Sequence, residues 1–410
     1  MVSQPSPCVP GPRRTLAALW RAAFWVSFPF GILSFILPIY GKELGASALQ
    51  VGSFFTAVSL VPLLIRPFLG RVLDRWGRRP FLLLGLIGYA GAAIVFCLAD
   101  TVRLLTVGRL VQGLGQAFLW ISAYTIVADL ARHSGRGVDF GRISEAVNRG
   151  ALIGTSLGFG ALFFMSDLDL DWRTMWFWLF AAYTIPVLLA LWAGWRGVGE
   201  TKPEKIEDAE KSQSLSGQLA ALVVIVFATG GSRAMVWPML VFFLRDRLST
   251  DVGVLALAYL PAALIGSFLP SRMGKATDRL GRKRPLVAGL SVGALASALI
   301  PHMPGVIYLA TLWAVESLGN AASIPAERAF VADIAGADAR GAGYGLYTFA
   351  HFLGAAIGPV VGGWLYENVG HATPFYLNAA ALVVGAFLVW VVLREPRGCV
   401  IGQMTAGSDI

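Results

Sequence analysis

Long apolar runs alternate with short polar links along almost the whole chain. A helix that crosses a membrane needs about 20 mostly apolar residues. Twelve runs approach or exceed that length, and in chain order they are 16–40, 49–69, 81–99, 104–128, 143–165, 173–195, 217–244, 252–273, 285–303, 306–332, 343–366 and 373–393. The pattern therefore predicts an all-α membrane protein with twelve transmembrane helices.

A polar stretch of mixed charge, residues 198–216, interrupts this alternation at the middle of the chain. Because it has no apolar face to bury, we interpret it as a linker. The predicted organisation is an N-terminal six-helix bundle over 1–197, a cytoplasmic linker over 198–216 and a C-terminal six-helix bundle over 217–410.

The two halves repeat each other. The link GRVLDRWGRRP, Gly70–Pro80, returns as GKATDRLGRKRP, Gly274–Pro285, and Asp278 follows Asp74 by 204 positions. The same offset relates further pairs: Gly115 and Gly319, Asp129 and Asp333, Gly150 and Gly354, Gly154 and Gly358, Gly158 and Gly362. Two six-helix halves in the same orientation form the parallel repeat of a secondary transporter, with its substrate site near the membrane midplane. The sequence thus predicts two pseudo-symmetric bundles around a central cavity.

Lysine and arginine are concentrated in the links that follow the even-numbered predicted helices, whereas the opposite links hold few of them. Because positive charge favours the cytoplasmic side, both termini and the central linker are predicted to be cytoplasmic. The short loops are typical of a bacterial inner-membrane protein.

Composition agrees with this class and excludes others. The chain is 56% hydrophobic and only 14% charged, against about 25% charged residues in a soluble domain. Its net charge of +9 comes from residues in short links, which indicates contact with anionic lipid headgroups rather than nucleic acid. The chain has no phosphate-binding G-x-x-x-x-G-K-[ST], nucleophile elbow or metal-ligating cluster, so neither an enzyme, a cofactor nor a metal is expected.

The doubled link G-x-x-x-D-R-x-G-R-[RK] resembles motif A of the major facilitator superfamily (MFS). The run LLTVGRLVQGLGQAF, Leu104–Phe118, resembles that superfamily's motif B, and LPIYGKELGAS and DWRTMWFW are similar to segments of its drug/proton antiporter-type exporters. The resemblance implies the MFS fold, transport by alternating access and a monomer that carries a small molecule.

The resemblance also implies a gating role for the two copies of motif A. The corresponding residues are Gly70, Asp74, Arg75, Gly77 and Arg78, and then Gly274, Asp278, Arg279, Gly281 and Arg282. Asp129 and Asp333 are expected to complete a cytoplasmic charge network with them. The alternative is that these arginines only set topology and bind lipid headgroups.

Three ionisable residues are predicted to lie well inside the hydrocarbon: Arg109, Arg233 and Glu316. A charge at the centre of a membrane helix costs about 2.5–3.5 kcal/mol on insertion scales, so such residues usually face a cavity or a partner. Arg109 occupies the motif B arginine, which the family associates with proton coupling. Glu316 is the acidic residue of the three and is our candidate proton carrier. A static Arg–Glu pair that only holds helices together is the alternative.

Small and aromatic residues give two further sets of candidates. Glycine recurs every four residues, which predicts close helix packing, at Gly150, Gly154 and Gly158 and again at Gly354, Gly358, Pro359 and Gly362. Thr155 stands where the antiporter-type motif C has proline, a departure from that group. Candidate cavity residues are Tyr40, Trp120, Tyr124, Trp237, Asn320 and Tyr347.

The function predicted from these features is proton-coupled export of a small amphipathic organic compound. A sugar or metabolite carrier is the second interpretation, because the first predicted helix lacks the central carboxylate found in many drug/proton antiporters. A membrane receptor or scaffold that uses a transporter fold is the third. The predicted partners are a small-molecule substrate, protons and the lipid bilayer.

Overall fold

A computed structural model describes residues 11–130, 136–201, 217–248, 252–270, 272–273 and 280–394. Within these ranges, the side chains of some helical residues are also outside the description, including those of Asp74 and Asp333.

Helices account for nearly all of the described chain, which contains no strand. They are α1 Pro12–Val26, α2 Phe30–Glu43, α3 Ala48–Trp76, α4 Arg79–Cys97, α5 Val102–Leu130, α6 Arg136–Asp167, α7 Trp172–Gly197, α8 Gly217–Arg247, α9 Val252–Phe268, α10 Lys283–Leu299, α11 Val306–Asn368 and α12 Thr373–Val392, with a 3-10 turn at Ile300–His302. Within the described residues, ten helical segments are long and apolar enough to cross a membrane. The predicted all-α membrane class is confirmed.

Two predicted helix boundaries were wrong. The first predicted helix is divided into α1 and α2 at a turn that contains Pro29, whose backbone lacks the N–H that would continue the ladder. The loop expected at 333–342 is instead helical, so that α11 covers both the tenth and the eleventh predicted spans. That segment, DIAGADARGA, has four alanines, which favour helix, and no proline that would end one.

The described chain divides into two compact units. Unit 1 comprises Met1–Glu210, Trp237–Arg245 and Ala355–Glu367, and unit 2 comprises Lys211–Val236, Asp246–Gly354 and Asn368–Ile410. The boundaries of the two predicted sequence bundles, with the linker between them, stay a prediction.

The core of unit 1 is formed where α1 packs on α6 and α7, and where α4 packs on α5 and α7. Its buried apolar residues include Leu19, Leu86, Ile126 and Val187. In unit 2, α10 packs on α12, around a core that includes Leu290, Phe330 and Leu382.

The glycine series on α6 lies at a close helix contact in unit 1. A Cβ atom at Gly150 would overlap the carbonyl oxygen of Phe24, and one at Gly154 would overlap that of Phe28. At Gly158 the obstruction would be the hydroxyl of Tyr183, which donates a hydrogen bond of 2.7 Å to the Gly154 carbonyl. The absence of side chains at Gly150 and Gly154 therefore lets α6 approach the end of α1 and the turn that follows it.

This contact gives a matched pair of substitutions on one helix. We expect Gly154→Ala to lower the free energy of unfolding by about 1–3 kcal/mol, because the added methyl group overfills a packed contact. Gly160 has no atom within 4 Å of the position of its Cβ, so Gly160→Ala should be neutral or stabilise the helix by up to about 1 kcal/mol. Thermal unfolding in detergent measures both, and equal effects would contradict the packing role.

Candidate functional site

The first copy of motif A forms a tight turn between α3 and α4. Gly77 has φ +91°, a left-handed conformation that glycine adopts without steric cost. The Arg78 side chain, only 3% exposed, lies 3.1 Å (Nε to Oδ2) from Asp129. Its Nη1 atom donates to the Leu73 carbonyl at 2.9 Å. The structure thus brings Arg78 and Asp129 together.

Glu200, which the sequence analysis placed in the linker, closes this turn. Its Oε1 atom accepts hydrogen bonds from the backbone N–H of Arg78 at 2.6 Å, of Thr201 at 3.1 Å and of Arg79 at 3.4 Å. The Glu200 carboxylate lies 2.6 Å from the position of a Cβ at Gly77. A carboxylate at this position also faces the N-terminus of α4, where the helix dipole favours negative charge.

The expectation that residues 198–216 have no buried face was wrong for the start of this stretch. Val198 is 1% exposed and Thr201 is 8% exposed. The Gly199 N–H donates to Thr15 Oγ1 at 3.3 Å, and Thr201 Oγ1 donates to Asp129 Oδ2 at 3.0 Å. The chain after α7 therefore packs on α1 and on the motif A turn before the description ends at residue 201.

The structure describes only some of the other residues in the two copies of motif A. Gly281 has φ +84°, as Gly77 does, and Arg282 immediately precedes α10. Arg75 is exposed on α3. Gly274, Asp278 and Arg279 lie outside the described residues, and so do the side-chain environments of Gly70, Asp74 and Asp333.

Arg109 lies inside unit 1 and is only 4% exposed. Its Nη1 atom donates to Gln112 Oε1 at 2.8 Å, and the guanidinium carbon is 5.0 Å from the centre of the Phe55 ring. Its Nε and Nη2 atoms are buried without a hydrogen-bond partner among the described residues. A buried guanidinium with one neutral acceptor keeps an uncompensated positive charge.

Unit 2 contains a buried group of opposite charges. Arg233 Nη1 lies 3.3 Å from Glu327 Oε1, and its Nη2 donates to Ser323 Oγ at 2.9 Å. Glu316 is 7% exposed and Glu327 is 4% exposed. The charge of Arg233 acts on both carboxylates, and the charge of Arg328 acts on Glu327 as well.

The acidic residues of this cluster lie on one face of α11. Glu316, Asn320, Ser323 and Glu327 are spaced i, i+4, i+7 and i+11, which is the spacing of one helix face. Glu316 and Asn320 were predicted from the sequence, whereas Glu327 was not. The regular polar spacing in an otherwise apolar run was the signal that would have found it.

Two further ionisable residues lie near the cluster. The charges of Arg233 and Arg328 both act on His351, and Arg328 also acts on Glu327. The His351 ring is 6.4 Å from the Tyr347 ring, with an interplanar angle of 17°. Tyr347, a predicted cavity residue, is therefore placed next to the charged group.

The other predicted cavity residues fall in several environments. Tyr40 is buried, stacks on Trp176 at 4.1 Å and donates to the Ala99 carbonyl at 2.8 Å, a setting typical of a packed core. Trp120 donates to the Tyr89 hydroxyl at 3.4 Å, and Tyr124, which is 41% exposed, lies 6.0 Å from the Trp120 ring. Trp237 is half-buried within unit 1.

Contacts between sequence-distant residues of unit 1 lie near the start of α3, whereas motif A lies at its end. Arg245 pairs with Glu43 and donates to the Ile39 carbonyl. The Leu49 N–H donates to Glu367 Oε1 at 2.8 Å, and Thr56 Oγ1 donates to the Ala356 carbonyl at 2.6 Å. These bonds hold segments from late in the chain against α2 and α3.

Comparison with known proteins agrees with this architecture. The chain is 25% identical to multidrug resistance protein 2 of Bacillus subtilis over 391 residues, covering 92% of this chain and 95% of that protein. It is 26% identical to multidrug resistance protein MdtG of Proteus mirabilis, with 94% and 97% covered. Among solved structures, a bacterial homologue of the human lysosomal transporter Spinster superposes with a TM-score of 0.69 at 15% identity, covering 93% and 95%.

The human organic anion transporter MFSD10 superposes with a TM-score of 0.63 at 18% identity, covering 93% of this chain and all of that one. At these identities the two structures show the fold alone. The model of the Major Facilitator Superfamily matches residues 19–224 and 222–400, which together span most of the chain. The protein therefore belongs to the Major Facilitator Superfamily and is a multi-pass membrane transporter, not an enzyme.

Proposed function

We propose that this transporter exports a small amphipathic organic compound in exchange for protons, by alternating access. The observation that carries the proposal is that two buried carboxylates, Glu316 and Glu327, lie on one face of α11, with Arg233 paired to Glu327. The names of the curated relatives, which are multidrug resistance proteins, support a drug-like substrate.

The charge balance of the cluster provides a coupling mechanism. With both glutamates ionised, Glu327 is paired with Arg233 at 3.3 Å, whereas Glu316 carries a buried negative charge without an ion pair among the described residues, which is costly inside a membrane. A proton removes that charge, and so does the positively charged end of a bound substrate. If proton and substrate compensate the same carboxylates in turn, each leaves as the other enters, which is antiport. Arg328 and His351 border the cluster and influence which glutamate takes the proton.

Arg109 is proposed as the corresponding charged group of unit 1. Its two unpartnered donor atoms are available to an acceptor on the substrate or to a water molecule on the proton route. We propose a coupling or substrate role for Arg109 rather than a static ion pair that holds helices together, because no carboxylate among the described residues is paired with its guanidinium group.

The two ends of α3 support the alternating-access part of the proposal. The motif A turn, with Arg78, Asp129 and Glu200, lies at one end, and the bonds from Arg245 and Glu367 lie at the other. Both sets of bonds are formed in this structure, and in this mechanism each set breaks in turn as the transporter opens at that end. We further propose that the motif A end faces the cytoplasm, with both chain termini, and that the protein acts as a monomer in a bacterial inner membrane.

Reconstituted liposomes test this function. With an imposed pH gradient, we expect wild-type protein to release protons when a lipophilic cation is added, and Glu316→Gln to lose that response because one of the two titratable carboxylates is gone. Internal pH and substrate uptake are followed together. Glu145→Gln is the matched control, since Glu145 is 54% exposed in a local pair with Arg149.

Three other results would each revise the proposal. Proton movement that survives Glu316→Gln would make Glu327 or Arg109 the coupling residue. Substrate movement without proton movement would favour a sugar or metabolite carrier, and a panel of sugars and amino acids is included for that reason. A chain that moves no substrate at all in this assay would contradict proton-coupled export.

A further inference from the structure

Each unit carries an open apolar groove on its outer face. In unit 1 it lies between α4 and α7, has a volume of about 420 Å³ and is lined by Leu83, Ile87, Leu188, Leu191, Trp192 and Trp195. In unit 2 it lies between α10 and α12, has a volume of about 600 Å³ and has in its lining Val287, Ser291, Leu295, Val383, Phe387 and Trp390. We call these the α4/α7 groove and the α10/α12 groove.

The two grooves are equivalent in the internal repeat. Leu83 and Ile87 correspond to Val287 and Ser291 at the offset of 204 positions that relates the two halves. Large apolar side chains line both grooves in exposed positions, with Ile87 52%, Trp192 51% and Phe387 63% exposed. Exposed apolar surface of this size on a membrane protein is in contact with lipid chains or with an apolar ligand.

A cation lies at the same end of each groove. Arg79 is one turn before Leu83 and two turns before Ile87 on α4, and its Nη2 donates to the carbonyl of the groove residue Trp195 at 2.8 Å. Arg196 adds a second guanidinium, 5.6 Å from the Trp192 ring. In unit 2, Lys283 is one turn before Val287, and its Nζ lies 5.1 Å from the Trp390 ring. Arg79 and Lys283 are themselves related by the offset of 204.

The position of these cations adds to their effect. Arg79 and Lys283 are the first residues of α4 and α10. At α10 the helix dipole also favours negative charge, whereas the N-terminus of α4 already holds the Glu200 carboxylate, so in the α4/α7 groove the guanidinium groups attract the headgroup. Tryptophan is enriched where hydrocarbon meets lipid headgroups, and tryptophan flanks the cation in both grooves. Each groove thus combines an apolar channel with a positive, aromatic end.

We propose that the α4/α7 and α10/α12 grooves each bind one anionic phospholipid. Its acyl chain lies along the apolar lining and its phosphate lies at Arg79 with Arg196, or at Lys283. Basic sites between membrane helices are suited to acidic headgroups. The repetition of cation, tryptophan and groove in both units favours a lipid over a transported compound, since the buried charged residues proposed for transport lie elsewhere, at Arg109 and at Arg233. The proposal does not depend on the proton coupling proposed above.

Native mass spectrometry of the intact protein tests this proposal. The protein is reconstituted with equal amounts of phosphatidylglycerol and phosphatidylcholine, extracted gently, and its retained lipids are counted. We expect wild-type protein to retain up to two phosphatidylglycerol molecules, with a preference over phosphatidylcholine of about fivefold for each cation near the headgroup. Lys283→Gln and Arg79→Gln should each remove one of the two, and the double variant should remove both.

Two further variants separate charge from packing. Ser291→Trp keeps every charge but fills the α10/α12 groove, so it should remove the same lipid as Lys283→Gln. Arg103→Gln removes an exposed cation in the first turn of α5, outside both grooves, and should not change the number of retained lipids. Equal retention of the two lipids, or loss of phosphatidylglycerol in Arg103→Gln to the same degree as in Lys283→Gln, would overturn the proposal. Displacement of the retained lipid by an added lipophilic cation would also overturn it, since the grooves would then be substrate sites.

Discussion

Glu327→Ala is expected to abolish transport and to lower the free energy of unfolding by about 3–5 kcal/mol, the usual cost of leaving one buried charge without its partner. Arg233 would keep its hydrogen bond to Ser323 but lose its ion pair with Glu327. Thermal unfolding in detergent measures the loss of stability, and substrate-driven proton movement in liposomes measures the loss of transport.

A double variant separates stability from coupling at this site. Replacing a buried ion pair by apolar residues of similar volume is often neutral or stabilising, so Arg233→Leu with Glu327→Leu should recover much of the lost stability. Transport should stay abolished, because Arg233 no longer balances Glu316. A double variant that regains both stability and transport would show that the pair only holds α8 to α11, as the static interpretation requires.

The exposed pair of Glu145 and Arg149 provides the scale for this comparison. These residues lie one turn apart on α6 with exposures of 54% and 69%. Exposed pairs of this kind contribute about 0.3–0.5 kcal/mol, so Glu145→Ala should hardly shift the unfolding temperature. The contrast between the two pairs measures what burial adds to the charge interaction.

The sequence predicted the class and the charged links because both depend on local composition. Apolar runs of membrane length, the repeat at 204 positions and the doubled motif A are visible in the order of residues alone. The Arg78–Asp129 contact was also expected, but through the family resemblance. No local pattern states that these two side chains, 51 positions apart, meet at 3.1 Å.

What the sequence did not predict depends on tertiary contacts. Glu327 lies near the end of the tenth predicted span, where a charge is ordinary at a membrane surface, and only its burial against Arg233 gives it importance. Tyr40 was considered as a cavity residue, yet it is stacked on Trp176 in the core of unit 1. The course of α11 through 333–342 was missed because charged residues in a link were taken to end a membrane helix.

Glu200 is the clearest example of a contact that composition conceals. It follows a membrane helix at the start of a polar stretch, which is the usual position of a solvated linker residue. In the structure its carboxylate accepts from three backbone N–H groups, two of them in the motif A turn. Their joint effect is to hold Arg78 where its side chain reaches Asp129.

Glu200→Ala is therefore expected to weaken the motif A network even though it changes no residue of the motif. The backbone N–H groups of Arg78, Arg79 and Thr201 would lose their acceptor. Each buried donor that water does not reach would lower the free energy of unfolding by about 1–3 kcal/mol. We expect transport to fall about as far as in Asp129→Asn, since both variants release the same arginine. Transport rates in liposomes and unfolding temperatures are compared for each single variant and for the pair.

The double variant, Glu200→Ala with Asp129→Asn, decides whether Glu200 and Asp129 act together on Arg78 or separately. The two single variants and the double variant form a double-mutant cycle. In such a cycle, residues in one hydrogen-bond network show interaction energies of about 0.5–3 kcal/mol, whereas the effects of substitutions at distant sites are additive. Because Glu200 holds the backbone of Arg78 and Asp129 holds its side chain, the second substitution should cost much less once the first is present. Full additivity, with Glu145→Gln as the neutral reference, would mean that Glu200 only anchors the start of the linker. A strongly reduced second effect would instead mean that Glu200 acts together with Asp129 to hold Arg78, so that the first residues after α7 form part of the gate.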